Sequence, residues 1–323
     1  MSDFRCPSCS GPIRMEENSS TVVCPYCSTT VQVKTGERIK ESYVMRLQFG
    51  REDASERMLA WTAKQLGAPR DLIKNGEVKK AELVFWPFWV VEVEANGSYE
   101  GTQKKIGIGD STGPRTWDSV KESRTISTEQ DILVPASTRF PKQLGNYVIP
   151  TKRKEFFQYD LVREAGGTTR PIVVDQESAL RTATAKMHAL VKAEALKELD
   201  RVERIDITTR VPAVFLVHVP IWHITYRYRV RRYKALVGGA AGTVIYAEYP
   251  RRIAFRAMLM MSGLLHLAIG GGLGLVLVYV GLAYSDGIFP TIVGIVWGLG
   301  MIAFALRFLS AALDITRGEE MVS

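Results

Sequence analysis

The fold class that the sequence predicts is a multi-domain chain with an α+β body between two small modules. Three observations predict it: two Cys-x-x-Cys pairs near the start, a Trp-containing segment that occurs twice, and two uncharged runs near the end. The expected ranges are 1–35 for a ribbon module, 40–170 and 171–250 for two related α+β units, 257–306 for a helical hairpin and 307–323 for a cytosolic tail.

The N-terminal cysteines indicate a metal site. The chain has 4 cysteines, in the pairs Cys6-Pro7-Ser8-Cys9 and Cys24-Pro25-Tyr26-Cys27, with 14 residues between the pairs. Four thiolates in two such pairs can reach the corners of a tetrahedron, a geometry that zinc accepts. A segment of about 35 residues buries too little core to fold alone, so the metal would supply most of its folding energy. The alternatives are two disulfides or four unrelated buried thiols. We therefore expect a zinc ribbon with one structural Zn²⁺, whose ligands are Cys6, Cys9, Cys24 and Cys27.

The body carries a degenerate repeat. Phe85-Trp86-Pro87-Phe88-Trp89 and His218-Val219-Pro220-Ile221-Trp222 are 133 positions apart, and each precedes alternating apolar and polar residues. Alternation with period two predicts half-buried strands, and a proline fits best at the entry of a strand. Asn96-Gly97 predicts a tight hairpin turn, and the glycines between 238 and 242 predict a looser one. Antiparallel strands are therefore expected after each Trp segment.

A helical pattern precedes each Trp segment, which completes the two predicted helix-plus-strand units. Residues 54–66 and 176–199 repeat apolar side chains with helical spacing, and Asp175 is a suitable N-cap for the second helix. The expected apolar faces are Met58, Leu59, Thr62 and Leu66 in the first helix, and Leu180, Ala183, Met187, Leu190 and Leu196 in the second.

Two uncharged runs predict a C-terminal two-helix transmembrane hairpin. Residues 257–284 and 287–306 number 28 and 20, contain no Asp, Glu, Lys or Arg, and are separated by Ser285-Asp286. About 20 helical residues span about 30 Å, the thickness of the hydrocarbon layer. The small-residue pairs Gly270/Gly274 and Gly294/Gly298 would let two helices approach closely. The alternative is a pair of core helices in a soluble domain.

The charges that flank the hairpin predict its orientation. Arg251, Arg252 and Arg256 precede the first helix and Arg307 follows the second, whereas the connecting turn offers only Asp286. Basic flanks stay on the cytoplasmic side. We therefore expect a multi-pass protein of the cell (inner) membrane with both termini in the cytoplasm, where a reducing environment keeps thiols free for metal.

Most of the net charge of +8 lies beside the hairpin. Residues 203–256 contain ten Arg or Lys and three acidic residues, whereas the ribbon is neutral. A basic juxtamembrane surface attracts anionic lipid headgroups, and nucleic-acid binding would favour a basic ribbon. We expect three arginines to project from one strand face, and Tyr226 and Tyr228 to pack inward on the long helix. The predicted headgroup contacts are Arg227, Arg229, Arg231, Arg251, Arg252 and Arg256.

No catalytic constellation emerges from the sequence. His188 lies in the long helix, His218 and His223 flank the second Trp segment, and His266 lies within the first uncharged run. None has a metal-ligand spacing to a carboxylate, and no nucleophile motif is present. We interpret His266 as a neutral side chain bonded to the partner helix. A protein without enzymatic activity is expected.

Several segments carry a resemblance: the two Cys-Pro-x-Cys pairs, Trp86-Pro87-Phe88-Trp89, Val219-Pro220-Ile221-Trp222, Asp131-Ile132-Leu133-Val134-Pro135-Ala136-Ser137, and Gly242-Thr243-Val244 before Tyr249-Pro250. On these segments, most of residues 1–250 resembles a group of bacterial and archaeal membrane proteins with an N-terminal transcription-factor-B-type zinc ribbon. The chain departs from that group at Gly238-Gly239, where its members often have an Asn-Gly turn. The resemblance implies a membrane-anchored binding or scaffold protein with membrane-organising partners, and it implies no activity.

The sequence as a whole favours a non-enzymatic adaptor or scaffold that recruits protein partners at the membrane. Two other classes stay open: a membrane-tethered nucleic-acid-binding regulator and an accessory subunit of a membrane complex. The neutral ribbon argues against the regulator, and the lack of a set of polar intramembrane residues argues against the subunit. The expected partners are anionic lipid headgroups and unidentified proteins, and the sequence leaves a homo-oligomer open.

Overall fold

The computed structural model of the chain describes residues 3–16, 19–106, 117–138, 140–147, 149, 153–283, 288–314 and 316–320. Two compact units interleave along the sequence. Unit 1 comprises residues 1–48, 82–221 and 238–241, and unit 2 comprises residues 49–81, 222–237 and 242–323. The ranges 40–170 and 171–250 describe the repeat in the sequence and stay a prediction.

The body is rich in β-sheet, with a cysteine cluster at its N-terminus and a pair of apolar helices at its C-terminus. The helices are α1 (Arg51–Ala63), α2 (Leu72–Asn75), α3 (Tyr159–Glu164), α4 (Gln176–Glu198), α5 (Ile253–Ala283) and α6 (Ile288–Leu313), with a 3₁₀ helix at Lys142–Asn146. The strands are β1 (Asp3–Arg5), β2 (Pro12–Arg14), β3 (Thr21–Val23), β4 (Thr30–Gln32), β5 (Arg38–Ile39), β6 (Ser42–Met45), β7 (Gly76–Ile106), β8 (Trp117–Pro135), β9 (Lys154–Phe156), β10 (Thr168–Thr169), β11 (Arg201–Tyr228), β12 (Arg231–Gly238), β13 (Val244–Pro250) and β14 (Thr316–Glu320).

Unit 1 is built on the long antiparallel pair β7–β8. The register runs without a break from Phe88 opposite Pro135 to Ile106 opposite Trp117. On this sheet β10 lies parallel to β7, while β6 lies parallel to β11 and antiparallel to β9. The described part of unit 1 therefore has a mixed sheet rather than the purely antiparallel one expected.

The predicted hairpin turn at Asn96-Gly97 is wrong. Both residues lie inside β7, where Asn96 pairs with Ser127 and Gly97 with Ile126. The glycine serves a close approach between strands, since a Cβ at Gly97 would lie 2.1 Å from the carbonyl oxygen of Asp206 in β11. The predicted turn at 238–242 is correct, because β12 ends at Gly238 and β13 begins at Val244.

Both Trp segments lie in the middle of a strand and not at its entry. Pro87 is inside β7 and Pro220 is inside β11, yet each keeps one ladder bond through its carbonyl oxygen. The Ala136 amide donates to Pro87 at 3.0 Å, and the Gly239 amide donates to Pro220 at 2.8 Å. A proline is tolerated here because its carbonyl still accepts a bond although its nitrogen cannot donate one.

Helix α4 packs on β7 and β8 within unit 1. Its N-cap is Asp175, as predicted, and the carboxylate accepts a bond of 2.7 Å from the Ser178 amide. The apolar face differs from the predicted one, since Leu190 and Leu196 are about half exposed. The residues that are buried belong to a stripe of smaller side chains, which lets the helix lie close to the sheet: Ala179, Ala183, Met187, Val191 and Ala195.

Unit 2 contains α1, the C-terminal strands and the apolar helices. Helix α1 buries Ala54, Met58 and Thr62 and packs on β13, whereas Leu66 lies beyond the helix and is exposed. Each of these two helices therefore packs on strands associated with the other Trp segment. Helix α1 precedes the first Trp segment but packs on β13, which follows the second Trp segment. Helix α4 precedes the second Trp segment but packs on β7 and β8, the strands of the first. A helical stripe indicates an apolar face but not which strand covers it.

The two apolar helices are flanked by a pair of neighbouring strands, β13 before α5 and β14 after α6. Strand β13 ends at Pro250, three residues before α5, and β14 begins at Thr316, three residues after α6. These two strands pair antiparallel, with Pro250 opposite Thr316. The predicted tail 307–323 is therefore partly helix and partly strand in the described residues, and both flanks of the helix pair lie on the same side of it.

Candidate functional site

The four cysteines come together through two equivalent turns. In each Cys-Pro-x-Cys segment the amide of the following serine donates to the carbonyl of the first cysteine, at 2.8 Å from Ser10 to Cys6 and 2.9 Å from Ser28 to Cys24. Both serines have a left-handed backbone, with φ of 62° and 57°. This conformation turns the chain back so that both thiols of a pair point to the same side.

The sulfur atoms form one cluster that could hold a metal ion. All four lie within 4.8 Å of one another, with the Sγ atoms of Cys6 and Cys27 3.7 Å apart and those of Cys9 and Cys24 3.6 Å apart. None is in a disulfide, so the disulfide alternative does not describe this structure. Among the described residues, no other group of three or more His, Cys, Asp or Glu side chains could hold a metal.

The thiols of the cluster differ in their surroundings. Burial raises the pKa of the Cys24 thiol to about 12. Burial also raises the pKa of Cys27, but hydrogen bonds with Thr29 and with the thiols of Cys9 and Cys24 together outweigh it and lower that pKa to about 6. A cation at the centre would favour the thiolate form of all four.

The cysteine module is joined to the body of unit 1. The Ser20 amide donates to the Ile172 carbonyl at 2.8 Å, and the Tyr159 amide donates to the Ser28 hydroxyl at 2.9 Å. Val23 also packs against the core formed by β7, β8 and α4. The cysteine module therefore keeps a small core of its own, which includes Val22 and Val31, and is attached to the body through Val23 and these two bonds.

The six arginines predicted to contact headgroups do not form one row. Arg227 lies in β11, Arg229 lies in the two-residue turn that follows, and Arg231 begins β12. The strand-face prediction is therefore wrong, because the strand ends at Tyr228. Arg227 is also paired with Glu77 at 2.8 Å, which leaves it less available to a ligand.

Two of the arginines cap α6. The Arg251 guanidinium donates to the Ala311 carbonyl, and Arg256 Nε donates to the Ala312 carbonyl at 2.7 Å. The last carbonyls of a helix lack partners within the helix and carry partial negative charge, so both arginines satisfy them. These bonds tie the chain before α5 to the end of α6.

Four of the six arginines, including Arg251, line one cleft that the sequence did not predict. Its volume is about 370 Å³, and Arg229, Arg231, Arg251 and Arg252 all contribute to its wall. We call it the arginine cleft. The sequence gives no signal of the turn that forms it, because the alternation of apolar and polar residues continues through Val230 and Arg231.

The tyrosines beside these arginines are buried, as predicted, but their partners are in unit 2. The Tyr226 hydroxyl donates to the Glu248 carbonyl, and the Tyr228 hydroxyl donates to Asp71 at 2.8 Å. The sequence predicted that these tyrosines pack on the long helix α4. That helix belongs to unit 1, whereas both tyrosines bond to residues of unit 2.

The histidines do not assemble into a site. His218 is buried, its Nδ1 lies 3.4 Å from the Tyr43 carbonyl, and burial lowers its pKa to about 4. The Nδ1 of His266 bonds to the Ser262 carbonyl of its own helix at 2.7 Å, and its ring packs against Phe308 of the other helix.

Helices α5 and α6 are long and apolar enough to cross a membrane. Of the most apolar 18-residue stretch of each helix, only 17% is buried in α5 and 11% in α6. Most of their apolar surface therefore lies outside the helix pair. They touch through glycines, as predicted: a Cβ at Gly294 would lie 2.8 Å from the Gly274 carbonyl oxygen, and one at Gly270 would lie 2.1 Å from Met301 Cβ. Gly298 is less tightly packed, since its Cβ would meet nothing within 3.9 Å.

The chain matches no protein-family model, no curated protein and no solved structure.

Proposed function

We propose that the chain is a membrane-anchored, zinc-binding adaptor whose body works at the cytosolic face of the cell membrane. The observation that carries the proposal is the pairing of β13 with β14, because it keeps both flanks of the apolar hairpin on one side of it. The basic residues on those flanks favour the cytosol for that side. The resemblance noted from the sequence supports the same reading.

Zinc is the metal that suits the cluster best. A tetrahedral Zn–S₄ site with bonds of about 2.3 Å has sulfur–sulfur edges of about 3.8 Å. The two distances of 3.7 and 3.6 Å agree with such edges. The site has four thiolates and no open position, which is typical of a structural role rather than a catalytic one.

Metal analysis of the purified full chain tests the zinc proposal. We expect one zinc per chain, and loss of most of it in Cys24→Ser. Ser8→Ala is the matched control, because the Ser8 amide rather than its side chain contacts Cys6 Sγ. Full zinc occupancy in Cys24→Ser, or iron in place of zinc, would contradict it.

Reporter fusions test the anchor and its orientation. A fluorescent protein that matures only in the cytoplasm should report from either terminus. An epitope inserted at Ser285-Asp286 should be reached by antibody only from the outer face of the membrane. A chain recovered without detergent in the soluble fraction would overturn the anchor.

The adaptor role calls for a protein partner, and Tyr26 offers a place to look for it. Its side chain is 66% exposed on the second cysteine turn and covers Gly11 of the first. A photo-cross-linking amino acid at Tyr26 should capture a defined protein in cells, and Cys24→Ser should abolish the product. A nuclease-sensitive product would favour the regulator instead.

A further inference from the structure

The arginine cleft concentrates positive charge that the described protein neutralises only in part, with four arginines and one aspartate in its lining. None of Arg229, Arg231 and Arg252 forms a salt bridge with a carboxylate of the described residues. Asp71 is the single acidic side chain in the lining. Its oxygens accept bonds from the Tyr228 hydroxyl and the Asn75 amide, both at 2.8 Å, and its single negative charge can offset only one of the four arginines. Four arginines in one lining with a single carboxylate leave a net positive charge there, which favours an anion as ligand.

The backbone of Arg229 is in a strained conformation. Its φ is 54°, a left-handed conformation that glycine adopts freely and that costs an ordinary residue about 1 kcal/mol. The Nε atoms of Arg251 and Arg252 are buried without a hydrogen-bond partner in the described structure, so their stems are fixed. The cleft therefore contains a strained backbone at Arg229 and two buried Nε donors without a partner in the described structure.

The rim of the cleft is apolar. Val230, at the tip of the turn between β11 and β12, is 92% exposed, and Ile253, the first residue of α5, is 75% exposed. A soluble anion needs no such rim. An anionic phospholipid does, because its phosphate would enter the cleft while its glycerol and acyl chains continue past Val230 and Ile253.

We propose that the arginine cleft binds the phosphate group of one anionic phospholipid in each chain. The inference rests on the proposed membrane anchor, because the cleft adjoins the first residue of α5 and would lie at headgroup level only if that helix enters the bilayer. Arginine suits the role because its planar fork bonds a phosphate through two nitrogens. The cleft volume is large enough for a headgroup.

The structure separates the arginines into test and control positions. Arg229, Arg231 and Arg252 can be replaced without breaking a salt bridge or a helix cap, so Arg229→Gln, Arg231→Gln and Arg252→Gln form the test variants. Arg227→Gln is the matched control, because Arg227 is two residues away, is paired with Glu77 and does not line the cleft. Arg251 and Arg256 are left intact because they cap α6.

The experiment is native mass spectrometry of the full chain in a neutral detergent, titrated with phosphatidylglycerol or phosphatidylcholine. We expect one tightly retained phosphatidylglycerol per chain, with at least tenfold preference over phosphatidylcholine. The triple test variant should weaken retention at least tenfold, and Arg227→Gln should not change it. Equal retention of both lipids, or unchanged retention in the triple variant, would overturn the proposal.

A second arm distinguishes a lipid from a free anion. Inorganic phosphate at the same concentration should neither displace phosphatidylglycerol nor raise the melting temperature. If it does both, the ligand is a soluble phosphate and the lipid assignment is wrong. If the membrane anchor is wrong, the chain will stay soluble without detergent. If the chain needs detergent but shows no preference between the two lipids, only the lipid-binding inference is overturned.

Discussion

Trp89 donates its indole hydrogen to the carbonyl oxygen of Val174, 2.8 Å away and two positions before α4. Trp222 donates in the same way to Phe49, at 2.9 Å and two positions before α1. The two members of the sequence repeat therefore make equivalent contacts, each with the chain that leads into the helix packed on it. The tryptophans are part of the fold and fix where these helices begin.

Removing either indole donor should loosen one helix and leave the other unchanged. We expect Trp89→Phe to speed amide hydrogen exchange in the first turns of α4, and Trp222→Phe to do so in α1. Each should lower stability by about 1–3 kcal/mol, since a carbonyl loses its partner and some volume is lost. Hydrogen-exchange mass spectrometry of the full chain measures both, and each variant is the control for the other. Equal effects on both helices would contradict the separate roles.

Replacing a glycine of the apolar helices should lower stability only where that glycine lies at the contact between the two helices. Gly294→Ala would place a Cβ 2.8 Å from the Gly274 carbonyl oxygen, so the helices must separate. Gly300→Ala, six residues further along the same helix, would meet nothing within 4 Å. We expect the first variant to lower the melting temperature in detergent by several degrees. The second should leave it unchanged or raise it slightly, because alanine favours helix over glycine.

Stability should fall in mild acid because of His218. Burial lowers its pKa to about 4, whereas the unfolded value is near 6.5, so the unfolded chain binds the proton first. The contribution is complete above about pH 6.5 and is lost progressively as the pH falls towards 4, by about 2 kcal/mol between pH 7.5 and pH 5. His218→Asn should remove this part of the slope. Chemical unfolding of both proteins at each pH measures it, and their difference cancels any shared effect of metal release.

Gly97 should be intolerant of any side chain although it lies in a strand. The Cβ of Gly97→Ala would lie 2.1 Å from the Asp206 carbonyl oxygen, so β7 and β11 must move apart. We expect a loss of about 1–3 kcal/mol, the usual cost of overpacking. Gly145→Ala is the control, since its Cβ would meet nothing within 4 Å. Thermal unfolding checks the pair, and equal stability of the two variants would refute the close approach.

The sequence predicted those features that depend on neighbouring residues and missed those that depend on distant ones. The cysteine cluster, the Asp175 N-cap and the apolar helices follow from local spacing and composition. The turn predicted at Asn96-Gly97 is wrong because Gly97 allows the close approach of Asp206 on another strand and does not form a turn. The sequence grouped Arg229, Arg231, Arg251 and Arg252 on one basic surface but not in a cleft, since the cleft depends on the turn after Tyr228 and on the tertiary fold.

The pairing of β13 with β14 also sets an order of events during biosynthesis. Strand β13 leaves the ribosome before the apolar helices, but β14 follows them, so its edge stays unpaired until the hairpin has been synthesised. Helix α1 must likewise wait for β13, which lies about 180 residues later in the chain. Closure of this edge therefore marks a chain whose helices are complete, and a ribosome stalled within α6 leaves an open strand that chaperones and proteases can recognise.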